Sequence, residues 1–441
     1  MSTTTNYNKK YFFMAWFVCG LGASFYAYEY FLRTLPSVME GPLRGHFALS
    51  ATGFGFLSAF YYYAYVPMQL PVGILMDRFG PRRLLTMACL ICVLGSLVFS
   101  TTHLFEYAAT GRFLVGLGSA FGFVGVLKLA TIWLPEDKMA LAAGLASALG
   151  TISAMVGDNL LGGMVEHIGW QMTINWAAYI GIGLAAVLWI GIRDKKDHKP
   201  VSEKVESFRK NMTDLFVILR NGQIWVNGMY GCLVYLPTTV FAELWGIPYL
   251  THGCGLSHAN AEFCNSMLFL GFTIGAPLNG YISDKIKLRR LPMFTGAIGA
   301  ALVMSIIIYV PGLHVLQLNV LMFLLGLLYS SQAIVFAVGR ELSPEDAAGT
   351  AIAATNMMVM LGAMFLQPLV GKLLDLSQYW HLKQSTAVVL EKVGPNLQEL
   401  VHSAVDYKLA LSVVPVGILI AAILTFFLRE TYARADITRR S

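Results

Sequence analysis

The chain has 441 residues, of which 56% are apolar and only 13% are charged, and its mean hydropathy is +0.62. Soluble domains carry charge on about a quarter of their residues, so the composition excludes a soluble globular protein and indicates a polytopic membrane protein. The net charge of +6 would suggest nucleic-acid binding in a soluble chain, but here the distribution of basic residues agrees better with a membrane topology.

Twelve apolar stretches are long enough to span a bilayer as helices, which takes about 20 mainly apolar residues. They predict an all-α membrane protein with helices α1 to α12 in chain order. The first stretch follows Met1 but continues past the length of a signal peptide, so it is interpreted as a span. The twelve run over roughly 11–32, 51–74, 84–101, 107–132, 139–163, 173–192, 223–249, 263–282, 292–311, 315–339, 348–373 and 409–428.

A short charged segment at 73–83, between α2 and α3, recurs 207 positions later at 280–290. Segments this charged do not lie in the hydrocarbon core, so each is predicted to be a turn at a membrane face. The recurrence predicts a duplicated chain. Its parts are an N-terminal six-helix bundle at 1–192, a charged cytoplasmic linker at 193–222 and a C-terminal six-helix bundle at 223–441.

The pattern G-x-L-x-D-R-x-G-x-R-R at 73–83 resembles the loop between helices 2 and 3 of the major facilitator superfamily, a large class of secondary transporters. It occurs as a pair, once in each half, and the resemblance covers nearly the whole chain. It implies two pseudo-symmetric bundles with a substrate site between them near mid-membrane. It also implies a gating role for the charged turns, against the alternative that they only anchor the topology. The gating candidates are Asp77, Arg78, Arg82, Asp284 and Arg289.

Basic residues are concentrated on the side of the membrane that would hold both termini. The outer loops keep only Arg44, Lys383, Lys392 and Lys408, with Lys372 at the end of a span. Since positively charged loops stay cytoplasmic, both termini are predicted to be cytoplasmic. The expected location is a bacterial inner membrane.

Four ionisable residues within spans are candidates for function, because each is costly to place in lipid. Glu29 and Arg33 are four residues apart on α1, and Arg112 on α4 lies at about the depth of Asp158 on α5. We predict that Glu29 and Asp158 couple transport to protons, since apolar surroundings favour the protonated carboxyl. The alternative is structural pairing of Glu29 with Arg33, or of Asp158 with Arg112. For Arg112 both interpretations stand equal, and its spacing to Gly116 resembles the family's helix 4 motif.

Further polar residues within spans are candidates for lining a substrate cavity. Lys128 lies alone in the inner half of α4, where it would either attract an anionic group or extend to the membrane surface. Glu243, near the outer end of α7, is interpreted first as an interfacial residue and only second as a functional one. The predicted binding residues are Arg33, Tyr61, Tyr65, Gln69, Arg112, Lys128, Gln332, Asn356 and Gln367.

Other resemblances bear on the subfamily. Many proton-driven exporters of the superfamily carry G-x-x-x-G-P-x-x-G-G in helix 5, whereas Asp158 occupies the position of that proline here, which weighs against a drug antiporter. The loop at 133–138 and Gly169-Trp170 resemble those of organic-anion and nutrient symporters, and bacterial relatives of lysosomal dipeptide transporters are another similar group.

The expected function is proton-coupled uptake of a small polar or anionic organic solute, such as an amino acid, peptide or carboxylate. The alternatives are a siderophore or drug exporter, an uncoupled facilitator, and a sensor that binds solute without moving it. The sequence contains no catalytic constellation and no metal-ligand spacing, so an enzyme, a cofactor and a metal are not expected. The expected partners are the solute, protons and the bilayer, with no nucleic acid, and the chain is expected to be a monomer.

Two further features lie on the outer side. The segment at about 376–408 is too polar to span, and its apolar residues predict an amphipathic helix on the outer, periplasmic surface. Cys254 and Cys264 fall near the loop between α7 and α8, where a disulfide and a pair of free thiols are both open.

Overall fold

The computed structural model describes residues 9–135, 138–193, 216–344, 347–384 and 402–432. These residues form helices joined by short connections, with no β-strand among them. The predicted all-α fold is therefore confirmed. We call the end of the molecule at which α1 begins the inner end, and the opposite end the outer end.

Within the described residues the chain forms the twelve predicted helices, arranged as two six-helix bundles. Most observed ends lie within a few residues of the predicted ones. The helices are α1 (Lys9–Thr34), α2 (Ala51–Phe79), α3 (Pro81–Thr101), α4 (Phe105–Ser119 and Phe121–Trp133), α5 (Met139–Ile168), α6 (Trp170–Gly191), α7 (Gly222–Val234, continued by Pro237–Trp245, Gly246–Pro248 and Tyr249–Gly253), α8 (His258–Ile286), α9 (Arg290–Tyr309), α10 (Val315–Tyr329, Ser330–Ala333 and Ile334–Glu341), α11 (Ala348–Gln384) and α12 (Ala404–Leu411 and Val413–Phe427).

Eight helices of the described chain, α3 to α6 and α9 to α12, are long and apolar enough to cross a membrane by length and composition alone. The other four are α1, α2, α7 and α8. These carry several of the buried polar and charged side chains, including Glu29, Gln69, Glu243 and Asn265. The polar groups that interrupt these four helices therefore face the protein interior rather than lipid.

The charged segments predicted as turns are mostly helical. α2 continues through Asp77 and Arg78 to Phe79, and the chain reverses at Gly80, whose φ is +83°. A residue without a Cβ is favoured at such a φ, and Pro81 then begins α3. The prediction of a turn over 73–83 was therefore wrong in extent. The side chain of Asp77 lies outside what the structure describes.

α7 is not the continuous α-helix predicted for 223–249. After Val234 its hydrogen bonding widens to π-helical pitch over Pro237–Trp245 and again over Tyr249–Gly253. Proline has no N–H to donate to the preceding turn, and Pro237 begins the first widened segment. The irregular segments make up the outer half of α7, where Glu243 and Trp245 are both buried.

The segment predicted as an amphipathic surface helix is divided between three regions. Residues 376–384 extend α11, and residues 404–408 belong to α12. Residues 385–401, like most of the predicted linker at 193–222, lie outside the described residues, and the domain boundaries stay a prediction. Cys254 and Cys264 are free thiols, which decides between the two alternatives left open.

α2 and α11 run antiparallel across the boundary between the halves and are in close contact at their outer ends. The carboxylate of Asp375 accepts hydrogen bonds from the backbone N–H groups of Ala51 (3.0 Å) and Thr52 (2.8 Å) and from the Thr52 hydroxyl. A Cβ on Gly55 would lie 2.7 Å from the carbonyl oxygen of Gln367. The backbones therefore meet with no room for a side chain, and the outer end is closed.

Toward the inner end the halves separate. The innermost hydrogen bonds that the described residues make between the halves join Thr151 to Thr273 (2.7 Å) and Gln69 to Asn356 (2.9 Å). Two turns further inward on α5, a Cβ on Gly144 would meet no atom within 4 Å. With the predicted orientation, this is an inward-facing conformation.

Candidate functional site

The centre of the candidate site is a buried triangle on α1 and α2. Arg33 pairs with Glu29 one helical turn earlier, at 3.2 Å, and both side chains are at most 2% exposed. The Nε of Arg33 donates to the hydroxyl of Tyr61 (3.0 Å), which itself donates to Glu29 (3.0 Å). The four-residue spacing places Arg33 and Glu29 on one face of α1. This is the structural pair considered as an alternative from the sequence.

Glu243 of α7 joins this cluster from the other half of the molecule. Its carboxylate lies 4.0 Å from Nη1 of Arg33 and accepts a short hydrogen bond from the hydroxyl of Tyr62. The preference for an interfacial Glu243 was wrong. The outer half of α7 packs against the start of α2, where the ring centres of Trp245 and Phe54 are 5.5 Å apart. In this position the side chain of Glu243 is only 1% exposed.

Arg112 holds the outer end of α1. Its guanidinium donates to the backbone carbonyls of Leu32 (3.0 Å) and Arg33 (3.5 Å). The last carbonyls of a helix have no partner within the helix and attract a cation, so this contact fixes the position of the charged triangle. The alternative pairing of Arg112 with Asp158 is not formed.

Tyrosine rings surround the guanidinium of Arg33. Its Cζ lies 4.5 Å from the ring centre of Tyr30, 4.9 Å from that of Tyr65 and 5.5 Å from that of Tyr61. Such contacts stabilise a cation that has been removed from water. Together with Arg112, Arg33 balances the two carboxylates of the cluster, so the site can carry two positive and two negative charges inside the bundle.

Asp158 is fully buried on α5 and lies at the contact with α8. One of its oxygens accepts a hydrogen bond from the side-chain amide of Asn265 (2.7 Å), which also donates to the carbonyl of Ala242 (3.0 Å). The other oxygen, Oδ1, has no hydrogen-bond partner, and no cation of the described chain pairs with this carboxylate. An ionised carboxylate in such a place is strongly destabilising.

The remaining predicted binding residues are distributed along the bundle. Gln69 bonds Asn356 across the halves, two turns inward of Tyr61. Gln367 donates to the carbonyl of Thr239 (2.6 Å), within the second half. Gln332 is buried in the 3₁₀ turn of α10, and Lys128 is half-buried in the inner half of α4. The structure therefore brings Arg33, Tyr61, Tyr65 and Arg112 together, but places Gln332 and Gln367 elsewhere.

Three of the candidate gating residues, Arg82, Asp284 and Arg289, make contacts within their own halves. Arg289 pairs with Asp284 and Glu341, each at 2.6 Å; burial opposes its charge, but these carboxylates raise the pKa of Arg289 above its ordinary value. Arg82 donates to the carbonyl of Trp189 (2.8 Å) and lies over its ring. Arg78 is exposed. A gating role for these residues stays a prediction.

Sequence reasoning missed several polar residues between the halves. Asn265 and Glu262 were not singled out, although polar groups within an apolar span were available as a signal. Asp375 lies between the predicted end of α11 at 373 and the polar segment that begins at about 376, so neither prediction includes it. Its role in closing the outer end depends on α2 and α11 being antiparallel neighbours, which the residue pattern alone does not indicate.

Two helical bundles around a buried, charge-balanced site define a membrane carrier rather than an enzyme. The sequence matches the Major Facilitator Superfamily over residues 12–366. The chain therefore belongs to this family of transporters and is a multi-pass membrane protein. The resemblance predicted from the paired charged segments is confirmed.

Individual relatives are distant. The chain is 25% identical to the probable nitrate/nitrite antiporter NarK1 of Thermus thermophilus, over 75% of this chain and 79% of that protein. It is 23% identical to the probable galactarate/D-glucarate transporter GudP of Escherichia coli K12, over 75% and 80%. A crystal structure of a bacterial homologue of the human lysosomal transporter Spinster, inward-facing and occupied, has a TM-score of 0.72 at 18% identity, covering 93% of this chain and 96% of that one. This last likeness concerns the fold alone.

Proposed function

We propose that this protein takes up a small polar or anionic organic solute by proton-coupled symport and alternating access. The observation that carries the coupling is Asp158, a fully buried carboxylate between the halves with one unpartnered oxygen. Protonation removes the large penalty of burying it. A proton on Asp158 therefore favours the arrangement in which the outer end is closed.

Arg33 is the proposed contact for the charge of the solute. Glu29 holds it with hydrogen bonds of 3.2 and 3.3 Å, whereas Glu243 lies 4.0 Å away. An anionic group can therefore compete with Glu243 for Nη1 of Arg33 without breaking the triangle, in a geometry that a guanidinium favours. Tyr65, Gln69 and Asn356 lie inward of this point and would shape the rest of the pocket. Two relatives, NarK1 and GudP, are named for transport of anions.

The transport cycle then follows from the coupling of solute and proton binding to the conformation of the protein. With solute and proton bound, the outer ends of the bundles close and the inner ends separate, as in the present conformation. Release toward the inner side leaves Asp158 ionised, which favours reopening of the outer end. In the outward-facing arrangement, Asp77, Arg78 and Arg82 would contact the first turn of α11. We place the protein in a bacterial inner membrane with both termini cytoplasmic.

The first experiment identifies the solute and then tests coupling. Purified protein is screened by thermal shift against amino acids, dipeptides, carboxylates, nucleosides and siderophores, at acidic and neutral pH. A solute that stabilises the protein is then used for uptake into proteoliposomes with an imposed proton gradient. Asp158→Asn is expected to abolish gradient-driven accumulation but to keep solute counterflow. Glu106→Gln, at the exposed outer end of α4, is the matched control.

Other outcomes select the alternatives. Accumulation that ignores the proton gradient in the unmodified protein would indicate an uncoupled facilitator, and solute efflux driven by the gradient would indicate an exporter. Binding without counterflow would indicate a sensor. Coupling that survives in Asp158→Asn would remove Asp158 from the proposal.

A further inference from the structure

Glu262 is a second carboxylate buried at the contact between α5 and α8. It is 6% exposed, and no side chain of the described residues pairs with its carboxylate. The facing residue on α5 is Gly162, where an added Cβ would overlap both oxygens of Glu262. The carboxylate thus occupies the space that a side chain at position 162 would need.

Glu262 forms a column with carboxylates on α5. Asp158, Gly162 and Glu166 are spaced four residues apart, so they lie along one face of the helix. Glu166 is exposed at the outer end, Glu262 faces Gly162 in the middle, and Asp158 is fully buried. The column therefore leads from the outer surface to the proposed coupling residue.

The surrounding contacts exist only while the outer ends of the bundles are closed. Asn159 of α5 donates to the hydroxyl of Ser266 on α8 (2.5 Å), and Asn265 donates to Asp158. These bonds join different halves of the molecule and lie within one turn of Glu262. Opening the outer end must break them and admit water to Glu262 and Asp158.

The charged groups that lie between the helices at this contact are acidic, and two exposed histidines, His167 on α5 and His258 on α8, lie at its outer edge. Glu166 acts electrostatically on Glu262, and Glu262 and Glu243 act on Asp158. On the other side of α8, the packed segment Val315–Tyr329 of α10 contains no charged residue. Closing the outer end with both carboxylates ionised would bury like charges without a cation, which is unfavourable unless they bind protons.

We propose that Glu262 is the proton-binding residue of the outer gate, which closes when Glu262 takes up a proton from the outer solution and reopens when the proton returns there. The proton passes from water to a carboxylate oxygen and back, so it is not itself transported. The inference rests on the proposed function only in assigning the transported proton to Asp158. An alanine at position 162 would take the space of the carboxylate and force the Glu262 side chain to turn away from α5.

The test measures the outer gate directly. Cysteines replace the exposed residues His167 on α5 and His258 on α8, in a protein whose six native cysteines are removed, and spin labels on them report the distance between the outer ends. In the parent protein this distance is expected to shorten as the pH falls. Glu262→Gln, which mimics the protonated carboxyl and binds no proton, should raise the pH midpoint of closure by about one unit or more, because closing then requires a proton only on Asp158.

Two further variants complete the design. Glu166→Gln, which removes a negative charge that acts on Glu262, should lower the midpoint, and Glu106→Gln, at the exposed outer end of α4, should match the parent. An unchanged midpoint in Glu262→Gln, or a shifted one in Glu106→Gln, would overturn the inference. Neither result depends on solute uptake. If Asp158→Asn keeps coupled transport while Glu262→Gln shifts the midpoint, only the proposed function fails.

Discussion

Arg112 links the charged cluster to the backbone of α1, and substituting it should lower the stability of the protein. In Arg112→Ala the carbonyls of Leu32 and Arg33 lose their donor and two buried carboxylates keep only one cation. The lost hydrogen bonds alone are expected to lower the free energy of unfolding by about 1–3 kcal/mol. The measurement is thermal unfolding in detergent.

Arg112→Lys and Arg83→Ala serve as the comparison for this prediction. Lysine keeps the charge but does not present the planar fork that reaches two carbonyls, so it should be intermediate in stability. Arg83 is exposed, and its removal should have little effect. Equal stability of Arg112→Ala and the parent would show that the carbonyl contacts contribute nothing.

The burial of the His402 side chain leads us to expect that the protein loses stability in acid. Burial, with Arg44 nearby, lowers the pKa of His402 to about 4, although Asp375 and Asp406 oppose this effect. The unfolded chain then binds a proton near pH 6.5 that the folded protein does not bind until about pH 4. The contribution of His402 to the free energy of unfolding should therefore be fully present above about pH 6.5. It should fall by up to about 3 kcal/mol as the pH drops to about 4.

The check is the unfolding midpoint in detergent as a function of pH. His402→Phe, which cannot titrate, should lose this part of the pH dependence, and exposed His167→Phe should keep it. A His402→Phe profile parallel to that of the parent would contradict the prediction.

For single residues, the sequence identifies the charged side chains within spans more readily than it identifies their partners. Glu29, Arg33, Arg112 and Asp158 stand out because each interrupts an apolar span. Only the Glu29–Arg33 pair follows from spacing, since both residues are on one helix. The contact of Asp158 with Asn265 joins residues 107 positions apart, and it depends on which helices of the two bundles face each other.

Among the helices, α2 and α11 carry the main contact that closes the outer end. Asp375→Ala should remove the acceptor of two backbone N–H groups at the start of α2. Each lost bond contributes about 1 kcal/mol, so the loss of both, about 2 kcal/mol, should make the first turn of α2 open roughly thirty times more often. Faster amide hydrogen exchange at Ala51 and Thr52 would report this opening.

Thr52→Val is the matched control, because it removes only the hydroxyl contact and leaves both amide bonds in place. Exchange in this variant should stay close to that of the parent. Protected amides in Asp375→Ala would mean that another group caps α2.

The elements themselves were largely predictable, and the exceptions have local causes. Apolar length locates the spans, but it ends α2 too early because Asp77 and Arg78 are compatible with helix and incompatible only with lipid. The widened turns of α7 escape prediction for a different reason. Pro237 and Pro248 indicate irregular backbone, but not which of several hydrogen-bond patterns the tertiary packing selects.

For the whole molecule, the distribution of basic residues predicts cytoplasmic termini. A reporter enzyme that is active only in the cytoplasm, fused after Ser441, should be active, and the same reporter inserted after Gly255, in the loop between α7 and α8, should be inactive. Reversed activities would invert the inner and outer ends assigned above and, with them, the proposed direction of uptake.

The duplicated charged segments predict two bundles, but they contain no information on how far the bundles are open. That property depends on small differences between contacts at opposite ends. At the outer end these contacts are Asp375 with α2 and Asn265 with Asp158, and no residue pattern ranks them against contacts that are absent from this conformation.

The antiparallel arrangement of α2 and α11 also limits how this protein can be engineered. At the outer end Asp375 of α11 accepts hydrogen bonds from the first turn of α2, and at the inner end α2 continues for two residues beyond Asp77. Two rigid helices cannot be in close contact at both ends while a cavity opens between them. Substitutions that make the outer contact tighter should therefore raise the melting temperature and slow turnover together, so a thermostabilised variant would serve as a trapped carrier for ligand discovery.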